Sequence, residues 1–231
     1  MTSIYITFAK LNKLVLVNGI YFKGAWAKRF DRETTRSAAF YLSDSNKVDV
    51  PMMKQTSVFR FGHIGKFAVL DLPYGCGEAG MYILLPGMQD LSADLSSLGS
   101  SDEISDGLRG LEKTECILRM PRFKVSLCAD LAKTLALLGM PRAFRDDEPP
   151  DFSGICLRPP LRISSVLHKA LADIDEEGTV AAGATAVVMW ETTAAQPRPY
   201  RFTVDHPFAF MIRDTATGAL LFLGRVMEPT K

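Results

Sequence analysis

The stretch Glu176-Glu-Gly-Thr-Val-Ala-Ala-Gly-Ala-Thr-Ala-Val-Val-Met189 decides the reading of this chain. Two carboxylates and a glycine open it, which suits a turn. Small residues follow, then β-branched ones, with no proline and no charge from Gly178 to Met189. Strand alternation puts Thr179, Ala181, Gly183, Thr185 and Val187 on one face, with Val180, Ala182, Ala184, Ala186 and Val188 on the other. Such a segment is long enough to form a strand and small enough to slide between two others. Its alanines and glycines give it little reason to form one alone. Taken by itself, it reads equally as a flexible connector or a short alanine-rich helix.

The run Ile174-Asp-Glu-Glu-Gly-Thr179, followed by Ala181-Ala-Gly-Ala-Thr185, resembles the hinge of the reactive-centre loop in serpins, inhibitors that trap serine proteases by loop insertion. The likeness extends from about Lys13 to Pro229. It takes in Leu138-Gly-Met140, Ala143-Phe144 and Asp151-Phe-Ser-Gly-Ile155. The resemblance implies a single α+β domain over residues 1–231, with mixed β-sheets, a few helices and a long exposed loop at about 176–200. Elements that precede Lys13 in a serpin have no counterpart here, so the expected fold is N-terminally incomplete.

Composition bounds the rest. The chain has 231 residues, long enough for a sizeable core, with 47% hydrophobic and 23% charged residues, as in globular proteins. A formal charge of +1 argues against a nucleic-acid binder or a membrane-surface protein. No apolar run is long enough for a membrane helix. The start at Met1 lacks the pattern of a signal peptide, whereas the family resemblance implies an extracellular setting, with an intracellular one as the alternative. Cys76, Cys116, Cys128 and Cys156 have no metal-ligand spacing, and neither do His63, His168 and His206. No metal and no cofactor are expected.

Along the chain, Lys13–Phe22 is apolar on both faces apart from Asn18, the pattern of a strand covered on both sides. Short strands are expected at 47–53, 57–61, 67–73 and 81–86. Gly75-Cys-Gly-Glu-Ala-Gly80 matches G-x-G-x-x-G, but the residues after it look like a strand, so it reads as a hairpin turn and not a dinucleotide site. Surface helices are expected within 90–111, and extended chain at 115–126 with a bend at Pro121. A helix is expected from about Ala129, with Leu131, Leu135 and Leu138 on one face and Gly139 as its stop. Strands follow at 161–174, 202–212 and 219–225.

No nucleophile–base–orienter set stands out. Ser164, Ser165 and His168 lie close in sequence, yet a strand does not by itself aim a serine at a histidine, and the G-x-S-x-G pattern is absent. The chain does not read as an enzyme. By resemblance, Asn18 and His168 belong to a polar shutter on the two strands that part to admit the loop. Trp26, Arg122 and Glu176 match positions at the sheet's upper end, where insertion begins, and an Arg122–Glu176 ion pair is expected there. Glu176, Glu177, Gly178, Thr179, Ala181, Ala182, Gly183, Ala184 and Thr185 form the implied hinge.

The implied activity is serine protease inhibition by a suicide substrate: the loop is cleaved, and its hinge side zips into the large sheet. About ten inserted residues at about 1 kcal/mol per hydrogen bond release on the order of 10 kcal/mol. The small Thr179, Ala181, Gly183 and Thr185 suit insertion; Val180, where inhibitory members usually carry glutamate, falls on the other face. Counting from the hinge places the reactive bond at Thr192-Thr193, with Ala194 or Ala195 as alternatives. An elastase-like serine protease is then the expected partner. Arg198 ranks lower because Pro199 follows it. A non-inhibitory or truncated, inactive serpin-fold protein is the competing expectation.

Overall fold

A computed structural model describes residues 13–43, 45–88, 90–145, 150–157, 161–178 and 198–229. Among the described residues, eleven strands and two α-helices run in the order β1 (Lys13–Phe22), β2 (Arg36–Ser43), β3 (Asn46–Ile64), β4 (Phe67–Tyr74), β5 (Ala79–Leu85), α1 (Ser101–Arg109), β6 (Glu112–Pro121), β7 (Phe123–Asp130), α2 (Ala132–Leu137), β8 (Arg162–Ile174), β9 (Tyr200–Thr203), β10 (Phe208–Asp214) and β11 (Leu220–Val226). Short 3-10 turns lie at Arg32–Thr34, Leu95–Leu98 and Pro141–Phe144. The described residues divide into two compact units, one holding those up to Tyr21 with those of Ser126–Leu171, the other those of Phe22–Val125 with those from Ala172 onward.

The first unit holds most of a three-stranded sheet of order β1-β8-β7. Asp130 closes β7 and turns the chain into α2: its carboxylate accepts from the Ala132 and Val166 N–H groups, both at 3.0 Å. These bonds, that to Val166 foremost, hold its pKa below the ordinary aspartate value. The helix therefore starts three residues later than expected, because Ala129 belongs to β7. Gly139, at φ +107°, ends it. The expected leucine face is not a core face: Leu131 and Leu135 are half-buried and Leu138 is exposed. The expectation for β1 also fails. Among the described residues it is an edge strand, and Leu16, Val17, Ile20 and Tyr21 are exposed, whereas Phe22 at its end packs on Tyr74 and Phe222.

The second unit is built on an eight-stranded sheet, β11-β10-β5-β4-β3-β6-β9, with β2 added to β3. Its strands pair antiparallel except β6 and β9, which run parallel, so the sheet is mixed. The two short strands expected at 47–53 and 57–61 are one strand of 19 residues. Its first half pairs with β2, its middle with β6 and its end with β4, and these three partners carry it through the polar residues between the two apolar runs. The β4–β5 hairpin is as expected, with Gly75 and Gly77 in the left-handed region. The run expected at 202–212 is instead two strands, β9 and β10, separated where the buried His206 ring bonds to Asp205 and to the Pro86 carbonyl.

One sheet face buries Phe40, Phe59, Leu70, Met81, Ile83, Leu118, Phe202, Phe208 and Phe210. The other packs Phe67, Val69, Leu84 and Met211 against Leu98, Leu108 and Leu111. Helix α1 begins with a capping box between Ser100 and Glu103, which satisfies two otherwise orphaned N–H groups.

Candidate functional site

The chain leaves β8 at Ile174 and makes a tight turn through Asp175-Glu-Glu-Gly178. Asp175 organises it: its carboxylate accepts from Glu177 N–H at 2.9 Å, and its carbonyl accepts from Gly178 N–H at 3.3 Å and from the Trp26 indole N–H at 2.8 Å. Gly178 has φ +73°, and a Cβ there would stand 2.3 Å from Trp26 N and 2.6 Å from Gly24 O. Only glycine fits both the conformation and the space. Further backbone bonds fasten the turn to residues 26–30: Trp26 N–H donates to Glu177 O at 3.2 Å, and Phe30 N–H to Glu176 O at 3.0 Å.

The Glu176 side chain is 1% exposed. Its carboxylate accepts from Arg122 Nε at 2.7 Å, from a terminal guanidinium nitrogen of Arg122 at 2.6 Å, and from the Thr35 hydroxyl. The expected Arg122–Glu176 ion pair is therefore present. Burial pushes the Glu176 pKa up, but the hydrogen bonds from Arg122 and Thr35 outweigh it and hold the value below the ordinary glutamate range. Arg122 stands at the break between β6 and β7, where its own N–H donates to Pro51 O at 3.0 Å. Glu177 points outward to Arg32 at 2.9 Å, in a pair screened by solvent.

Trp26 is buried and stacks on Tyr74, with ring centroids 4.3 Å apart and planes 13° apart, while Phe30 meets its edge. The indole thus links the core to the turn through its N–H. Thr35, Phe30, Asp175 and Tyr74 take part in this anchor and were not singled out from the sequence. Only Asp175 carries a local signal there, an aspartate two residues before the N–H it caps.

Asn18 and His168 lie on β1 and β8, which are hydrogen-bonded neighbours in the three-stranded sheet. His168 is half-buried. Asn18 is exposed, so the partners a buried asparagine would need are not required. Thr179, Ala181, Ala182, Gly183, Ala184, Thr185, Thr192 and Thr193 lie outside the described residues, which resume at Arg198 and enter β9 at Tyr200.

Ser164 Oγ donates to Leu14 O at 3.4 Å. Both ring nitrogens of His206 are engaged, by Asp205 at 2.9 Å and Pro86 O at 2.8 Å, which is a structural arrangement. Among the described residues no group of three His, Cys, Asp or Glu side chains is placed to hold a metal ion. No described helix is long and apolar enough to cross a membrane.

Residues 3–229 match the family model described as serpin (serine protease inhibitor). Leukocyte elastase inhibitor A of Rattus norvegicus is 39% identical over 229 residues, covering 95% of this chain and 59% of that protein. Serpin B8 of Bos taurus is 38% identical, covering 96% and 60%. A serpin structure from the trematode Schistosoma haematobium superposes with a TM-score of 0.78 at 26% identity, over 93% of this chain and 56% of that one. The chain thus spans about three fifths of the length of these curated relatives. A family match running nearly from end to end, on a mixed-sheet α+β fold, leads to one conclusion: this chain belongs to the serpin family.

Proposed function

We propose that the chain is a serine protease inhibitor acting as a suicide substrate, cut near Thr192-Thr193, with the hinge from Glu176 to Thr185 then entering the sheet between β1 and β8. One observation carries most of this reading. Strand β8 runs into a turn whose first residues are held on one side by the Glu176–Arg122–Thr35 cluster and the Trp26 indole. A strand inserted beside β8 needs a fixed starting point, and this anchor supplies it. The composition beyond it adds support, since Thr179, Ala181, Gly183 and Thr185 place nothing bulky or charged on one strand face. Small residues around Thr192 suit an elastase-like partner, and relatives named leukocyte elastase inhibitor point the same way. Residues 1–231 then act as one functional domain, and the chain performs no catalysis of its own. The four cysteines form no disulfide with one another, and the exposed Cys76 and Cys128 thiols favour a reducing compartment over the extracellular setting implied by the resemblance.

A second reading, a serpin-fold protein that does not trap its protease, is favoured by the exposed Leu16, Val17 and Tyr21 of β1, one of the two strands flanking the proposed insertion gap. Incubation with elastase-, chymotrypsin- and trypsin-like proteases, followed by denaturing electrophoresis, separates the two. A covalent protein–protease band with release of a fragment beginning near Thr193 is the expected result. Clean cleavage near Thr192 without that band would overturn trapping and leave the second reading.

A further inference from the structure

Lys54, Arg119 and Arg201 converge on the outer face of the sheet formed by β3, β6 and β9. Register sets Lys54 opposite Arg119 and Arg119 opposite Thr203, while the next outward-facing row pairs Thr56 with Ile117 and Ile117 with Arg201. Together Lys54, Ile117, Arg119, Arg201 and Thr203 line a cavity of about 190 Å³. All three cations are exposed. Among the described residues, their charged groups make no hydrogen bond or ion pair, and no carboxylate lines the cavity. Glu115, two residues along β6 on the same face, is not part of the lining. At the margin, Lys28 Nζ donates to Thr56 O at 2.9 Å and adds a fourth positive charge. Asp31 borders the neighbouring cavity that Lys28 and Lys54 also line, and its carboxylate caps Glu33 N–H at 2.9 Å.

Like charges directly opposite one another on adjacent strands are destabilising. The Lys54–Arg119 pair sits about 5 Å apart at Cβ by that geometry, with Arg201 one pleat away and nothing negative in the lining to offset them. Arginine forks match phosphate oxygens in two-point contact, a lysine supplies a mobile point charge, and the Thr203 hydroxyl adds a donor. The cavity has room for about six waters at liquid density, which a phosphate group with its first waters would replace. Three uncompensated positive charges suit a dianion better than a singly charged carboxylate or sulfate ester.

We infer that this face is a binding site for a phosphate dianion, free or as a monoester, held by Lys54, Arg119, Arg201 and Thr203. The site is independent of the reactive loop's activity. Its test uses the full chain at pH 7.5 and constant ionic strength, titrated with phenyl phosphate, inorganic phosphate and phenyl sulfate while the amide signals of Arg119, Arg201 and Thr203 are followed by NMR. Saturable shifts are expected with phenyl phosphate, with phenyl sulfate at least tenfold weaker. Saturation by inorganic phosphate as well supports the site with free phosphate as its source; saturation by phenyl phosphate alone supports it with an ester as its source.

The double variant Arg119→Gln/Arg201→Gln is expected to weaken binding at least tenfold, and Lys54→Gln about threefold. Both should unfold at or slightly above the wild-type temperature, because the side chains removed are exposed and mutually repulsive. Lys113→Gln, on the same face of β6 but outside the cavity, is expected to change affinity less than twofold. Shifts that do not saturate, equal affinity for phenyl sulfate, or an equal loss in Lys113→Gln would each overturn the assignment.

Discussion

Removing the Arg122 guanidinium tests the anchor at the start of the proposed reactive segment most directly. In Arg122→Ala, the buried Glu176 carboxylate loses two hydrogen bonds from a cation, at 2.7 and 2.6 Å, and keeps the Thr35 hydroxyl and its own backbone N–H. Breaking a fully buried ion pair from one side costs about 3–5 kcal/mol. Here the Arg122 side chain is 42% exposed, so solvent already screens part of the interaction and the expected loss is about 2 kcal/mol. For a chain of this size that lowers the unfolding temperature by roughly 4–8 °C. Glu176→Gln keeps the shape and an acceptor oxygen, so about 1 kcal/mol is expected.

The pH dependence supplies a second readout. Because the folded pKa of Glu176 is depressed, its stabilisation is complete above the ordinary value of 4.5 and is lost as pH falls through the lower folded value. The gap between wild type and Arg122→Ala should therefore narrow as pH drops below about 4.5. In the variant, burial is opposed only by the neutral donors, the Thr35 hydroxyl and the Glu176 backbone N–H, so that low-pH loss is diminished. Urea unfolding followed by the fluorescence of Trp26, in a Trp190→Phe background, reads both effects. A cost below about 0.5 kcal/mol at pH 7, or a gap that stays constant from pH 7 to pH 3, would refute the reasoning.

Other expectations follow from single contacts. Gly178→Ala places a Cβ 2.3 Å from Trp26 N at a φ of +73°, so urea unfolding should show a loss of about 2–3 kcal/mol, while Gly87→Ala, with open space around it, should show less than 1 kcal/mol. Burial raises the Asp71 pKa from 3.8 to about 6 against the pull of Arg60, so the folded state holds its proton more tightly and stability falls as pH rises from about 4 to 6. The span corresponds to at most about 3 kcal/mol, and Asp71→Asn should remove that slope from urea midpoints measured across the window. Thr185→Arg puts a charge on the face that the proposed insertion must bury. Gel assays should then show cleavage near Thr192 with little covalent complex; an undiminished complex would argue against insertion along that face.

Several features were legible in the residues because local chemistry and tertiary demand agree. The β4–β5 hairpin has apolar runs on both sides of a glycine-rich turn, and the turn before β11 has Gly218 at φ +72°. The Asp175-Glu-Glu-Gly178 turn carries its capping aspartate and its glycine in sequence. Other features depend on partners distant in the chain. Asn46–Ile64 becomes one strand only because β2, β6 and β4 each pair with a different part of it. The break between β9 and β10 depends on a bond from His206 to Pro86, 120 residues away. Thr35 carries no local sign of its bond to Glu176, and the exposure of Asn18 is set by which strands stand beside β1, a quantity that apolar patterning does not contain.

The amino-acid order alone therefore pointed to the family and fixed the small-residue character of one face of the Thr179–Val187 run, since side-chain size and alternation are properties of neighbouring residues. Only the tertiary structure decided that Glu176 is buried under Arg122, that Gly178 is sterically required, and that three cations share one cavity on the sheet. Each of those depends on strand register and burial, and these bring together residues whose separation along the chain gives no hint of contact.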